Sequence, residues 1–217
     1  SSAYKLFDAA CWGMHPAAMP VIGTRARVER LSRDDLVQYV QRQYRGANVV
    51  VGAAGPIDGD AFVRDCQAAF GALPAGAPNV IGTPAYVGGV RTRSQADSSQ
   101  SHAGLGGVIT PRRNADVHDE AAALLAAAVL GEGMSSPLLH ELREQRALAY
   151  HVSASAEAMD MCGQFIIEAS MAPERFDECL EAVLALLTQH AERIDPQDLA
   201  RARRQLAIGK VRLDPDP

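Results

Sequence analysis

Two side chains that can bind a peptide lie seven positions apart in the second half of the chain. Arg143 and Tyr150 belong to residues 130–150, whose sequence is LGEGMSSPLLHELREQRALAY. A guanidinium donates hydrogen bonds to peptide carbonyls, and a phenol can hydrogen-bond a carbonyl or a developing oxyanion. The spacing alone favours a structural interpretation, in which the leucines form core, the charges form a solvated helix face and Tyr150 is a strand aromatic.

The remaining side chains show no pattern of a self-contained active site. His140, Glu141 and Glu144 resemble part of a zinc-binding helix, but the second histidine of such a motif is missing. The sequence has no serine-nucleophile elbow and no phosphate-binding loop, and its 4 cysteines lack metal-ligand spacing. We therefore predict no catalytic residue, no metal ligand and no cofactor within this chain.

The composition is that of an ordinary globular chain and excludes some classes of partner. The 217 residues carry a formal net charge of -5, which argues against a nucleic-acid groove. We interpret the basic cluster Arg201, Arg203 and Arg204 as a solvated helix face. No apolar run is long enough to predict a membrane span. The sequence does not assign a cellular compartment, and cytoplasm and periplasm are the leading options. We expect both ends of the sequence to be internal boundaries of a longer protein.

Capping residues and periodicity predict the elements that must position Arg143 and Tyr150. Helix starts are marked by side chains that can accept hydrogen bonds from first-turn amides: Ser32 (with Asp35 as a capping box), Asp58, Ser136 and Asp195. Helical spacing predicts further helices at residues 4–12, 117–130 and 174–190. Apolar or alternating runs predict strands at residues 48–54, 80–93, 101–110, 150–156 and 164–171.

The order of these elements favours an α+β fold. After a Gly, Ala and Pro-rich linker at residues 71–79, strands and helices come in adjacent pairs, β-β-α-α-β-β-α-α. Such an order is typical of a mainly antiparallel sheet covered by helices on one face, and not of a doubly wound parallel sheet.

Residues 130–150 resemble one block of the insulinase, pitrilysin and mitochondrial processing peptidase family. The family pattern is L-G-x-G-M-S-S-x-L followed by [LI]-R-E-x-x-x-L-A-Y, against LGEGMSSPL and LREQRALAY in this chain. Three further blocks are similar and come in the same order: HPAAMPVIGT, LSRDDLVQYVQRQYRGANVVVGAAGPID and ARARRQLAIGK. The resemblance implies a metallohydrolase-like fold of the processing peptidase type, from a family of zinc metallopeptidases whose two related domains close around a peptide.

The resemblance also implies which part of such a peptidase this chain is. Residues 1–78 resemble the closing helix-strand-helix unit of the first domain, and residues 79–217 resemble the opening part of the second, zinc-less domain. The family's zinc motif, H-x-x-E-H, is missing here, so zinc is expected in the missing domain or in a partner subunit. Arg143 and Tyr150 match the pair that zinc-active members offer to the substrate.

The resemblance thus implies a peptide or protein substrate, a zinc-bearing domain or subunit as partner, and a chain that is inactive alone. A dimer is a further option. The alternative is a zinc-less structural or assembly subunit of the same fold. Because the closing unit of the second domain is missing, we also expect residues 48–54 to join the later sheet, within the chain or from a neighbouring molecule.

Overall fold

The computed structural model describes residues 2–213 and divides the chain into two compact units. Among the described residues, the first unit contains 2–19 and 83–213, and the second contains 20–82. Residues 214–217, at the end of the expected second domain, lie outside the described part of the chain. The expected domain division near residue 78 stays a prediction.

A three-stranded antiparallel sheet is the centre of the first unit. Its strands are β1 (Ser101–Val108), β2 (His151–Ala158) and β3 (Gly163–Met171), in the order β1-β3-β2. Ser170 of β3 lies in register with His102 on one side and with His151 on the other. The strands predicted at residues 101–110, 150–156 and 164–171 are therefore confirmed.

Helices cover the face of the sheet that carries the main core. They are α5 (Val117–Gly131), α6 (Pro137–Leu139) and α7 (Phe176–Glu192), and a π-helical turn over His140–Gln145 continues α6. Helix α8 (Pro196–Leu213) packs on α5, where Ala202 is buried with Ala128 and Val129. Leu138, Leu142 and Ile167 are fully buried in the core cluster of this layer. The α+β architecture with an antiparallel sheet is confirmed.

A further helix, α1 (Ser2–Trp12), packs on the other face of the sheet. Phe7, Cys11 and Trp12 of this helix form a separate buried cluster with Cys162 and Ile166. Successive residues of a strand point to opposite faces, so Ile166 serves this cluster while Ile167 serves the main core. The helix predicted at residues 4–12 is thus confirmed, and it covers the second face of the sheet.

Helix α5 ends in a close contact with the sheet. Gly131 is its last residue, and a Cβ at this position would overlap the backbone nitrogen of Ala154 in β2. Gly133 follows with φ +85, a left-handed conformation that glycine adopts without strain. The two glycines therefore end the helix, as predicted, and the first also allows it to approach the strand.

Arg201 on α8 is not the solvated side chain that we expected. Its guanidinium donates to the carbonyl of Glu132 (Nη1, 2.6 Å) and to that of Val129 (Nη2, 2.8 Å), at the carboxyl end of α5. Its side chain is only 14% exposed. The prediction was wrong because the carbonyls that attract Arg201 come from a distant part of the sequence. Arg203 and Arg204 are exposed, as expected.

The second unit contains the short α2 (Arg25–Val28), α3 (Arg33–Gln43) and α4 (Gly59–Phe70). Ser32 and Asp35 form the predicted capping box at the start of α3. Asp58 caps α4 by accepting from the amides of the first turn, also as predicted. Many apolar side chains of α3 and α4 are exposed in this unit, among them Leu36, Tyr39, Val40, Val63 and Phe70.

Two predicted strands do not form. Residues 49–54 and 80–93 run without regular secondary structure, and the described sheet contains only β1, β2 and β3. Val50 is 97% exposed and Val80 is 96% exposed. A strand needs a partner backbone, and the apolar pattern of a segment cannot supply one. The expected pairing of residues 48–54 with the later sheet of the same chain is therefore wrong, and pairing with a neighbouring molecule stays a prediction.

Candidate peptide-binding corner

The chain turns sharply between the π-helical turn and β2, and Arg143 and Tyr150 lie at the two ends of this corner. The carbonyl of Leu142 accepts hydrogen bonds from the amides of both Leu148 (2.7 Å) and Ala149 (3.1 Å). Ala147 has φ +48, a left-handed conformation that is uncommon outside glycine. Arg143 directly follows Leu142, and Tyr150 directly follows Ala149. The corner therefore fixes the backbone from which both side chains leave.

Arg143 belongs to the π-helical turn, and its side chain is 47% exposed. Its Nε lies 3.6 Å from Oε1 of the neighbouring Glu144, which is 50% exposed. An ion pair between two such exposed groups contributes little, typically less than about 1 kcal/mol. The guanidinium can therefore exchange this contact for another acceptor at small cost.

Tyr150 immediately precedes β2, and its amide donates to the carbonyl of Ser170 at 2.8 Å. This bond extends the pairing of β2 with β3 by one residue and anchors the tyrosine backbone to the sheet. The Tyr150 side chain is nevertheless 57% exposed. The structure thus places both predicted residues on the surface at one corner, and their role in substrate binding stays a prediction.

Buried leucines and an ion-pair cluster hold the corner in place. Leu138 and Leu142 anchor it in the core, where both have 0% exposure. Arg146 donates to Glu178 on α7 (Nη2 to Oε1, 2.9 Å), and Arg175 donates to the other oxygen of the same carboxylate at 2.7 Å. The hydrogen bond from Arg146 lowers the pKa of Glu178. The sequence analysis did not single out Arg146. The signal for its ion pair was an arginine in the corner together with the acidic residues in the first turn of α7.

Ser136 begins α6 in a different way from the predicted one. It is fully buried, and its hydroxyl makes no capping hydrogen bond. The prediction of a side-chain cap was wrong because only the Ser136 carbonyl, which accepts from the amide of His140 at 2.8 Å, takes part in the helix start. Asp195 does cap α8 as predicted, since its Oδ1 accepts from the amide of Gln197 at 2.7 Å.

An open groove of about 780 Å³ lies beside the corner, between the start of α6, the end of α7 and the start of α8. His140 and His190 both line it, together with several carboxylates. However, Nε2 of His140 lies 2.8 Å from Nε2 of Gln145, and Nδ1 of His190 lies 2.9 Å from the carbonyl of Leu186. Within residues 2–213, no three histidine, cysteine or acidic side chains are grouped so that they could hold a metal ion. These donors therefore do not fit a zinc ion, and no chemical step is assigned to one in this chain.

Over the same described range, none of the helices combines the length and the apolar character that a bilayer span requires.

Comparison with curated proteins finds relatives named as zinc proteases. An uncharacterized zinc protease of Mycobacterium tuberculosis is 34% identical over 212 residues, which cover 95% of this chain and 47% of that protein. An uncharacterized zinc protease of Streptomyces coelicolor is 31% identical, over 94% of this chain and 46% of that protein. The chain thus spans about half the length of the curated relatives it matches.

Solved structures share the fold. The peptidase M16 inactive domain from Pseudomonas fluorescens superposes with a TM-score of 0.84 at 25% identity, over 95% of this chain and 50% of that one. A chain of complex III2 from Candida albicans superposes with a TM-score of 0.83 at 18% identity, over 96% of this chain and 52% of that one. At this lower identity the likeness concerns the fold alone.

The family described as "Peptidase M16 inactive domain" matches residues 30–206, which is most of the chain. The match includes the corner with Arg143 and Tyr150, and it agrees with the resemblance seen in the sequence. The chain belongs to the Peptidase M16 inactive domain family.

Proposed function

We propose that this chain is the substrate-clamping, non-catalytic portion of a zinc-dependent endopeptidase. In this proposal Arg143 and Tyr150 bind an extended peptide, while the zinc ion and the nucleophilic water belong to the missing domain or to a partner subunit. The observation that carries the proposal is the shared corner. The Leu142 carbonyl accepts hydrogen bonds from the amides of Leu148 and Ala149, and these bonds hold the residues before Tyr150 close to the residue before Arg143. Two hydrogen-bonding side chains then leave one fixed piece of backbone and remain exposed to a ligand.

The chemistry of the pair suits a peptide backbone. The guanidinium presents several donors to peptide carbonyls, and the phenol presents one donor and one acceptor. Neither group supplies a nucleophile, so the pair can position a substrate or stabilise a developing oxyanion but cannot cut the peptide alone. The curated relatives are named zinc proteases and are about twice as long as this chain. Their names and their length support a zinc site in another part of the full-length protein.

The test is peptide turnover by the full-length protein, together with its zinc-bearing partner if it has one. We expect Arg143→Ala and Tyr150→Phe each to lower kcat/KM on a fluorogenic decapeptide library by about tenfold or more, since one lost donor to a reacting carbonyl commonly costs this much. Both side chains are exposed, so the melting temperature should stay unchanged. Matched controls are Arg203→Ala and Tyr39→Phe, which also alter exposed residues.

Unchanged turnover in both corner variants would refute the roles of Arg143 and Tyr150. A wild-type protein that cleaves no member of the library, even with its partner, would instead support the alternative of a structural or assembly subunit.

The location of the zinc has its own test. We expect the purified 217-residue chain to bind less than a stoichiometric amount of zinc after dialysis, because its described donors are not grouped for a metal. Elemental analysis of this chain and of the full-length protein, side by side, gives the answer. One tightly held zinc per chain in the short form would contradict the proposal.

A further inference from the structure

Strand β1 is an open edge of the sheet. It pairs with β3 on one side, and no segment among the described residues pairs with its other side. The amide of Ile109 donates to the carbonyl of Gly163 at 3.0 Å, which continues the register of β1 with β3 by one residue. In an antiparallel pair, every second residue makes the hydrogen bonds to the neighbouring strand. His102 and Gly104 therefore direct their amides and carbonyls away from β3.

The sequence of β1 lacks the features that usually protect such an edge. Natural edge strands discourage further pairing with lysine, proline or a bulge, or they are covered by another element. The residues of β1, SHAGLGGV, include no lysine, no proline and no acidic side chain, and their register with β3 runs without a bulge. Tyr86 lies near the far end of the strand, where its hydroxyl would be 4.0 Å from a Cβ at Gly107. Residues 101–105 thus form the open part of the edge.

Strand β2, at the other edge of the sheet, is better protected. Gly131 at the end of α5 lies against the backbone of Ala154, in the middle of β2. The strand also carries an acidic side chain, Glu157. Of the two edges, β1 is therefore the one that is suited to accept another strand.

Residues 49–53, with the sequence VVVGA, have the complementary property. Three consecutive valines favour a strand, and Val49 already has an extended backbone with φ -116 and ψ 125. No residue of the segment has a left-handed conformation. The segment belongs to none of the described ladders, and Val50 is 97% exposed. It is therefore a strand-like segment that its own chain leaves without a partner.

The other strand-like segment, residues 80–93, is less suitable. Gly88 and Gly89 have φ +75 and φ +92, left-handed conformations that do not occur in a regular strand. The amide of Val87 is also in use, because it donates to the carbonyl of Cys11 at 2.8 Å. These residues are thus held against the end of α1 in a conformation that cannot pair with β1.

We propose that residues 49–53 of one molecule pair with the β1 edge of a second copy of this chain. The added strand runs antiparallel to β1, as both existing pairs of the sheet do. Each copy has one such segment and one such edge, so each can donate a strand and accept one. This association is independent of the roles proposed for Arg143 and Tyr150.

The alternation of side chains gives the pairing a definite pattern. Val49 and Val51 extend the core face of the sheet beside Leu105, which is only partly buried. Val50 and Gly52 then exchange hydrogen bonds with the outward groups of β1, because directly opposite residues of a pair share one face. Each such bond replaces bonds to water and contributes only modestly. The association should therefore depend on concentration and be lost on dilution.

The experiment measures the mass of the 217-residue chain by light scattering after size exclusion, over a wide range of concentrations. Gly52→Pro removes an amide from the segment, at a position where a Cβ lies in open space. His102→Pro removes an outward amide from β1, and a proline at such an edge position leaves the bonds to β3 intact. Val50→Lys is a second variant of the segment, which places a charge on an exposed side chain. Gly52→Ala and His102→Ala are matched controls that keep both amides, and circular dichroism checks the fold of each variant.

We expect the mass of the wild-type chain to rise with concentration from one chain towards two. Gly52→Pro, Val50→Lys and His102→Pro should each raise the midpoint concentration by about tenfold or more, while both alanine controls follow the wild-type chain. An equal mixture of the two proline variants should associate more strongly than either alone, because one retains the edge and the other retains the segment. Hydrogen exchange at high concentration should protect the amides of Val50 and Gly52.

Three results would overturn the proposal. The first is a wild-type chain that stays monomeric at every concentration. The second is an association that Gly52→Pro and Val50→Lys leave unchanged, since residues 49–53 would then take no part in it. The third is a mixture of the two proline variants that associates no better than either variant alone, because the edge and the segment would then not be partners of each other.

Discussion

Arg201 supplies hydrogen bonds that helix α5 cannot make for itself. The last carbonyls of a helix have no partner within it, and a cation at this end also interacts favourably with the helix dipole. Arg201 satisfies the carbonyls of Val129 and Glu132, and it is itself steadied by Asp198 and Gln205 on its own helix. One largely buried side chain thus completes α5 and attaches α8 to it.

We expect Arg201→Ala to lower the free energy of unfolding by about 2–3 kcal/mol, because hydrogen bonds to a charged group are lost and two carbonyls lose their partners. Arg201→Lys should recover less than half of this loss, since an ammonium group lacks the fork that reaches both carbonyls. Urea unfolding followed by circular dichroism measures the change. Arg203→Ala is the control, because Arg203 is exposed on the same helix. Equal effects at the two positions would contradict the assigned role.

Single-residue predictions from the sequence succeeded where the partner is close along the chain. The caps formed by Ser32, Asp58 and Asp195 bind amides two or three residues away, so the local sequence contains both partners. Arg201 and Gln164 were not recognised, because their partners lie far away in sequence and meet them only after folding.

Gly131 sets the distance between helix α5 and the sheet. A side chain at this position would collide with the backbone of Ala154, which cannot move without disturbing the pairing of β2 with β3. The glycine that ends α5 therefore also determines how closely this helix packs.

We expect Gly131→Ala to destabilise the first unit by about 2 kcal/mol or more, as is typical of an added group in a close-packed contact. Thermal or urea unfolding of the variant measures this loss. Gly107→Ala is the matched control, because a Cβ at Gly107 meets only the Tyr86 hydroxyl at 4.0 Å. A Gly131→Ala variant as stable as the control would mean that α5 can move away from β2 at no cost.

Helices were easier to predict than strands, for a physical reason. A helix forms its hydrogen bonds within one segment, so the apolar stripe and the caps of α7 and α8 are sufficient signals. Residues 49–54 and 80–93 have strand-like patterns, yet neither finds a second backbone in the described chain. For the candidate site, the spacing alone favoured a structural interpretation, and it was the family resemblance that singled out Arg143 and Tyr150. The double hydrogen bond to Leu142 and the π-helical turn could not be foreseen from the pattern.

At the scale of the whole molecule, the two compact units differ in how much apolar surface they bury. The first unit has a continuous core under α5, α6 and α7, whereas α3 and α4 of the second unit leave apolar side chains exposed. Burial of apolar surface is the main source of stability. The second unit should therefore open more readily than the first.

Hydrogen–deuterium exchange measured by mass spectrometry can test this difference. We expect β3 to be the most protected segment, because it is paired on both sides, and residues 50–54 to exchange at once, because they form no ladder. The exchange of α3 and α4 should be intermediate. Strong protection of residues 50–54 that disappears on dilution would reveal pairing with a neighbouring molecule.

The attachment of α8 to α5 also has a consequence for the order in which the chain is made. Arg201 lies 69 positions after Glu132 and 72 after Val129, so a ribosome needs roughly 4–14 s to reach it after completing α5. During this interval the last turn of α5 lacks its partner and should fray. A nascent chain that pauses before α8 therefore has an unfinished helix end, and this is the stage at which a chaperone or a protease would have most access to it.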